Sequence, residues 1–187
     1  MRKIPATVCA IALLTTVSAC AGDQEEAAPA YSLSPRPVRT LEKPLAERPV
    51  KLGEIRYSVM GIRTGIASVV GSHGDWLPKG QYVRLRIALM NEGRDRHRFE
   101  PLRQLLIGSD GRTYKISNDA MNIDRQPVGV LSIARDERRE FDLWFDIPKN
   151  IEPQRLRILG DSTSSALGEQ LKGPSPGAKN TTDISLS

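Results

Sequence analysis

The chain has 187 residues, of which 39% are hydrophobic and 26% charged, so it is long enough to bury a core and is not disordered throughout. Aromatic residues make up only 5% of it, which argues against a stacking platform for nucleic acid as its main purpose. The formal net charge is +5. None of these totals indicates a particular chemical activity.

The N-terminus has the layout of an export signal. Basic residues at positions 2 and 3 precede a mostly apolar stretch, 4–17. That stretch is shorter than the roughly 20 residues of a membrane-spanning helix. It ends in Val17-Ser18-Ala19-Cys20, which resembles a bacterial lipobox. The resemblance implies that residues 1–19 are a lipoprotein signal peptide and that Cys20 carries diacylglycerol. An ordinary secretory signal cut after Ala19 is the alternative.

The cysteine content restricts the chemistry of the exported chain. The other cysteine, Cys9, lies in the leader, so the mature protein would hold no free thiol. This predicts a domain without disulfides or cysteine-ligated metals, stabilised by core packing alone. Behind Cys20, residues 20–52 contain five prolines and little apolar periodicity. We therefore expect them to form a Pro-rich linker.

From residue 53 the sequence alternates with the period of two that is typical of β-strands. In the clearest strand, between Val83 and Met90, four apolar residues alternate with arginine and alanine. A second strand alternates Phe141, Leu143 and Phe145 with Asp142 and Trp144. Asp142 and Asp146 lie on the same face of this strand, opposite the apolar residues, and we expect that face to be solvated. We expect the same of the arginines in the first strand.

Turn signals separate these strands. The Asp110-Gly111 pair predicts a type I′ hairpin, because both central residues of that turn need positive φ. About seven to eight short strands predict an all-β fold over residues 53–172, an immunoglobulin-like antiparallel β-sandwich. Residues 173–187 follow a Gly-Pro-Ser-Pro-Gly run and are expected to form a disordered tail.

The order of these landmarks resembles a known family. The landmarks in this chain are Gly80, the strand ending in Asn91-Glu92-Gly93, the Leu105–Ile107 stretch, Asp110-Gly111-Arg112-Thr113-Tyr114, Glu140-Phe141-Asp142-Leu143-Trp144-Phe145-Asp146-Ile147-Pro148 and Leu156-Arg157-Ile158. The family is the actinobacterial one of immunoglobulin-like extracellular domains that includes a mycobacterial secreted immunoprotective antigen. The resemblance covers about Lys51–Lys172. It implies a fold and an extracytoplasmic location, without a reaction or site residues.

The sequence offers little for catalysis. Its two histidines, His73 and His97, lie in loop-like contexts and cannot build a three-histidine zinc site. Neither a Gly-x-Ser-x-Gly motif nor a Gly-rich phosphate loop occurs. We therefore expect no enzymatic activity, no metal and no cofactor.

Two features are candidates for partner contact. One is Trp76, in the loop Asp75-Trp76-Leu77-Pro78, which either caps the core or meets a partner. The other is a cluster of arginines near one turn, whose planar forks suit carboxylate and phosphate groups. Its members are Arg94, Arg96, Arg98 and Arg103. Acidic residues interspersed among them also fit a mixed, solubilising surface.

These observations predict a lipoprotein anchored at the extracytoplasmic face of the cell membrane, carrying a non-enzymatic binding domain. Its partners would be the membrane, through the anchor, and an envelope protein or an anionic cell-wall component. Nucleic acid is excluded by compartment. An accessory subunit of an envelope enzyme and a structural envelope lipoprotein are the alternatives.

Overall fold

The structure is a computed structural model and describes residues 37–46, 48–72, 74–160 and 180–187. They belong to the unit Pro37–Ser187. The predicted signal peptide, Cys20 and the first part of the predicted linker lie outside the described residues. No helix within the described ranges has the length and apolar character needed to cross a bilayer.

Short strands dominate the described part of the chain. In chain order they are β1 (Lys43–Pro44), β2 (Val50–Leu52), β3 (Ile55–Ile66), β4 (Val69–Gly71), β5 (Gly74–Trp76), β6 (Gln81–Asn91), β7 (His97–Phe99), β8 (Leu105–Gly108), β9 (Thr113–Lys115), β10 (Leu131–Ile133), β11 (Arg138–Ile147), β12 (Pro153–Leu159) and β13 (Thr181–Ser185). A 3₁₀ turn spans Pro101–Arg103 and one helix, α1, spans Asn118–Ile123.

Two antiparallel sheets form the body of the domain. In the first, which we call the large sheet, the order is β1-β3-β6-β11, and β2 also pairs with β3. In the second, which we call the small sheet, the order is β13-β12-β8-β9. Two short ladders, β4–β5 and β7–β10, complete the described pairing. The predicted all-β sandwich is confirmed.

The core lies between the facing sides of these two sheets. The alternating residues predicted to be apolar and inward are buried in both long strands: Val83, Leu85, Ile87, Leu89, Phe141, Leu143 and Phe145. The small sheet contributes Leu106, Leu156, Ile158 and Ile184. Period-two alternation therefore identified the inner face of the large sheet correctly.

The sheets include described residues beyond the predicted bounds of the domain at both ends. Residues 37–46, which we call the strap, lie on the large sheet although they belong to the predicted linker. The strap places β1 against β3, and the Leu45 N–H donates to the Met60 carbonyl at 3.1 Å. Gly61 permits this approach, since a Cβ there would lie 2.4 Å from Oε1 of Glu42. Strand β2 also comes from the predicted linker.

The last residues are not a disordered tail. Strand β13 pairs with β12 in a five-residue antiparallel register, and Ile184 and Leu186 are buried. Residues 173–179 of the predicted tail lie outside the described part of the chain. The Gly-Pro-Ser-Pro-Gly run indicates a break in regular structure, and the chain re-enters the sheet after it.

The predicted hairpin at Asp110-Gly111 exists, with a different turn. Among the two central residues only Gly111 has a positive φ, of 74°. The Gly111 N–H donates to the Gly108 carbonyl, and the Gly108 N–H donates to the Arg112 carbonyl. This is a type I turn followed by a left-handed glycine, the usual three-residue alternative to type I′.

Candidate functional site

The candidate site lies on the side of the large sheet that faces away from the core. Arg84 and Arg86 on β6 and Asp142 and Trp144 on β11 point to this side, since they alternate with core residues. A bulge in β3 between Val59 and Gly61 shifts the alternation there by one residue. We call this side the outer face. It is not the solvated surface predicted from the sequence, because Asp142 and Arg86 are each only 2% exposed.

A buried ionic network covers the middle of the outer face. Nε of Arg86 lies 3.0 Å from Oε1 of Glu42, and both side chains are 2% exposed. Arg86 also lies 3.6 Å from the Glu140 carboxylate. Three arginines balance three carboxylates. The members are Arg39, Glu42, Arg84, Arg86, Glu140 and Asp142. The strap supplies Arg39 and Glu42, so these ion pairs fasten the strap to the sheet.

Asp142 is the carboxylate on which two of these cations converge. The Arg39 guanidinium hydrogen-bonds to Asp142, and Nε of Arg84 lies 3.8 Å from the same oxygen. Burial raises the pKa of Asp142, although its hydrogen bond and charge pairing with Arg39 and the charge of Arg84 act in the opposite direction. The Asp142 carboxylate therefore depends on these arginines to remain ionised.

Beside the network, an open groove of about 470 Å³ crosses the outer face. Its lining residues are Arg63, Ile66, Ala67, Ser68, Val69, Val70, Arg84, Asp124 and Trp144. Asp124 follows α1, a helix that begins where the Ser117 hydroxyl accepts a hydrogen bond from the Ala120 N–H. Trp144 donates its Nε1–H to Asp124 at 2.8 Å, and this hydrogen bond fixes the indole at the base of the groove.

Two arginines give the groove its cationic character. Arg63 on β3 and Arg84 on β6 are directly opposite each other in the antiparallel ladder, an arrangement in which like charges repel. Arg84 is held by Asp142 and lies 5.7 Å over the Trp144 ring. Arg63 makes no ion pair or hydrogen bond with any other described residue. An anion placed between the two guanidiniums would relieve their repulsion.

An exposed apolar hairpin borders the groove. Strands β4 and β5 form it, with Val69, a residue of the groove, opposite Trp76. Trp76 is 50% exposed, so it does not cap the core, one of the two roles that the sequence left open. Val70 is 74% exposed and Leu77 is 71% exposed. His73 lies outside the described residues.

The arginine cluster predicted as a contact surface lies elsewhere. Strand β6 begins near the hairpin and ends at Asn91, before the cluster, and its 11 residues span roughly 33 Å. Arg94, Arg96 and Arg98 are exposed there, and Arg103 is half-buried. Neighbouring polar groups engage the cluster: Arg96 donates to the Ser132 hydroxyl, and Arg103 pairs with Glu100 at 3.3 Å. Trp76 and the cluster are therefore separate surfaces.

The groove contains few groups for chemistry. Its titratable lining groups are Arg63, Arg84 and Asp124, and the Asp124 carboxylate already accepts hydrogen bonds from Trp144 and Gln126. In the part of the chain that the structure describes, no three His, Cys, Asp or Glu side chains gather as metal ligands would. His97 lies 2.9 Å from Glu54, in a pair outside the groove.

Sequence reasoning missed Arg63 and Asp124 as groove residues. The bulge in β3 hides which face Arg63 occupies, and Asp124 reaches the groove only because α1 packs against the large sheet. Leu77 was within the loop identified around Trp76, and an apolar residue directly after a tryptophan in a loop was the available signal.

No protein-family model matches the chain, and no curated protein matches it. Among solved structures, the yjhA protein of Bacillus subtilis is 15% identical, with a TM-score of 0.51, over 74% of this chain and 94% of that one. The candidate lipoprotein ycdA of B. subtilis is 11% identical, with a TM-score of 0.49, over 76% of this chain and 39% of that one. MPT63, a secreted protein of Mycobacterium tuberculosis, is 14% identical, with a TM-score of 0.36, over 62% of this chain and 89% of that one. The likeness to yjhA shows a shared fold, and the resemblance to the actinobacterial family stays a prediction.

Proposed function

We propose that the chain is a lipoprotein, anchored through Cys20 at the extracytoplasmic face of the cell membrane, whose sandwich is a non-enzymatic binding domain. The observation that carries the binding role is the arginine-lined groove bordered by an exposed apolar hairpin. Contact surfaces on a rigid sandwich are typically formed by such protruding segments. The ionic network supports the same role, because it fixes Arg84 in position before any ligand arrives.

The composition of the groove favours binding over catalysis. A general acid or base needs a titratable group free to exchange a proton with its substrate. The two guanidiniums offer hydrogen-bond donors and no acceptor, and the Asp124 carboxylate is engaged by the indole N–H of Trp144. What the groove offers a ligand is two positive charges and an adjoining apolar surface.

The binding surface is tested by photo-crosslinking in cells. A photoreactive amino acid at Val70 or Leu77 is expected to capture an envelope component, since both side chains are exposed next to the groove. The matched control is the same amino acid at Lys115, an exposed residue of β9 on the small sheet. Capture from Arg96 and from neither hairpin position would move the contact surface to the arginine cluster. Equal capture from all positions would contradict a defined surface.

The anchor is tested by metabolic labelling with a palmitate analogue. The wild-type chain is expected to take up the label, and Cys20→Ala is expected to take up none, because the thioether on Cys20 would be lost. Cys9→Ala is the matched control and should label like the wild type, since Cys9 lies within the segment that would be removed. A wild-type chain without label, or equal labelling of Cys20→Ala, contradicts the anchor.

A further inference from the structure

We propose that the hairpin and the arginine groove dock onto the headgroup layer of an anionic lipid bilayer. This deepens the proposed function by naming the partner of the same surface. Three large apolar side chains are exposed within eight residues at one hairpin: Val70 and Trp76, which the register places on opposite sides of the ladder, and Leu77, which directly follows β5. Tryptophan is the side chain that membrane proteins favour at the lipid–water boundary, because its ring is apolar and its N–H is polar.

Charge complementarity points to lipid headgroups as the occupant. Arg63, which pairs with no other described residue, and the fixed Arg84 line the groove next to Val70. Exposed Lys79 follows Leu77 after a proline, and these three cations outnumber the one exposed carboxylate of the hairpin, Asp75. Basic groups next to an inserting apolar segment are the arrangement that anionic membrane surfaces attract. Because the groove is open to solvent, it can take up a headgroup phosphate while the hairpin side chains enter the boundary of the acyl region.

The place where the described chain enters the sandwich agrees with this orientation. The described chain begins on the outer face, where the Pro37 carbonyl accepts a hydrogen bond from Arg86. Sixteen residues lie between Cys20 and Pro37, a span of at most about 60 Å. The chain therefore enters the described unit on the side of the sandwich that carries the groove. Two more exposed apolar residues, Val38 and Leu41, lie on the strap over this same face.

The test uses the chain from Ala21 onward, which retains the whole Pro37–Ser187 unit and lacks the apolar leader and Cys20. It is mixed with vesicles of phosphatidylglycerol or of phosphatidylcholine and sedimented. Binding is expected only to the anionic vesicles and should weaken as salt is added. Since this chain carries no lipid, its failure to bind would overturn docking and leave the labelling of Cys20 unaffected.

Variants locate the contact. Arg63→Gln is expected to weaken binding about fivefold and Trp76→Ser about tenfold, whereas Arg96→Gln should bind like the wild type. The chain has two tryptophans, and Trp144 is buried. A blue shift of fluorescence on vesicle binding therefore reports Trp76, and Trp76→Phe should remove the shift while retaining most of the binding.

Three results would overturn the docking proposal. One is that Arg96→Gln loses binding while Arg63→Gln binds like the wild type, which would assign the membrane contact to the arginine cluster. Another is displacement from vesicles by millimolar inorganic phosphate, which would make the groove a site for a soluble anion. The third is self-association without vesicles that Trp76→Ser abolishes, which would make the hairpin an interface between copies of this chain.

Discussion

Replacing Arg86 by methionine is expected to destabilise the domain by about 3–5 kcal/mol, the usual cost of removing one partner from a buried ion pair. The guanidinium neutralises Glu42, whose side chain is 2% exposed, and Glu140, whose side chain is 12% exposed. Without it, both carboxylates remain in a low-dielectric environment next to each other. In a chain of this size such a loss lowers the midpoint of thermal unfolding by roughly 6–20 °C.

A double variant distinguishes two contributions to this loss of stability, the buried charge left without a partner and the lost packing of the side chain. Glu42→Gln combined with Arg86→Met removes both charges of the Arg86–Glu42 pair, so its destabilisation should be smaller than the sum of the two single variants. Arg94→Met is the matched control for an exposed arginine, and its free energy of unfolding should change by less than about 0.5 kcal/mol. The measurement is urea unfolding of each variant. An Arg86→Met protein as stable as Arg94→Met would mean that the network is not buried in solution.

Deleting residues 180–187 is expected to cost at least about 4 kcal/mol, although the sequence predicts a disordered tail there. The deletion removes β13, exposes the edge of β12 and uncovers Ile158, which is fully buried in the intact domain. It also removes the buried side chains Ile184 and Leu186, each of which contributes roughly 2–3 kcal/mol. Urea unfolding of the truncated chain measures this loss.

Because the truncated chain could fail to fold, Ile184→Ala provides a graded version of the same test. Its expected cost is about 2–4 kcal/mol, from lost apolar burial and the cavity that remains. Ser187→Ala is the control, because Ser187 is exposed beyond the end of β13. An unfolding midpoint unchanged by both the deletion and Ile184→Ala would show that β13 is not part of the stable sheet.

The long strands were predictable because their signal is local. From Val83 to Leu89 in β6 and from Phe141 to Ile147 in β11 every second residue is apolar, and a strand with one face in a core produces that alternation directly. The short strands carry no such signal. Strand β1 has two residues and includes a proline, and its place on the edge of β3 follows from contacts with residues about 18 positions away. No window of sequence contains both partners.

The candidate site was predictable only in part. Trp76 stood out because a tryptophan in a loop has few neighbours to bury it. Arg63 and Arg84 were not recognisable as a pair, since they belong to different strands and face each other only through the register of β3 and β6. The exposed cluster of Arg94, Arg96 and Arg98 was more conspicuous in the sequence than the buried Arg86, because residues close in sequence are easier to see than residues brought together by folding.

The sequence by itself determined that this is an all-β sandwich, because the period of its apolar residues depends only on the strand geometry of each segment. It also contains the lipobox-like string ending at Cys20, a local signal. Only the tertiary structure decided that residues 37–46 fasten onto the large sheet, that β13 completes the small sheet and that the outer arginines are buried. Each of those outcomes depends on charges or strand edges that lie far away in the sequence. These groups stabilise one another only after folding has brought their segments together.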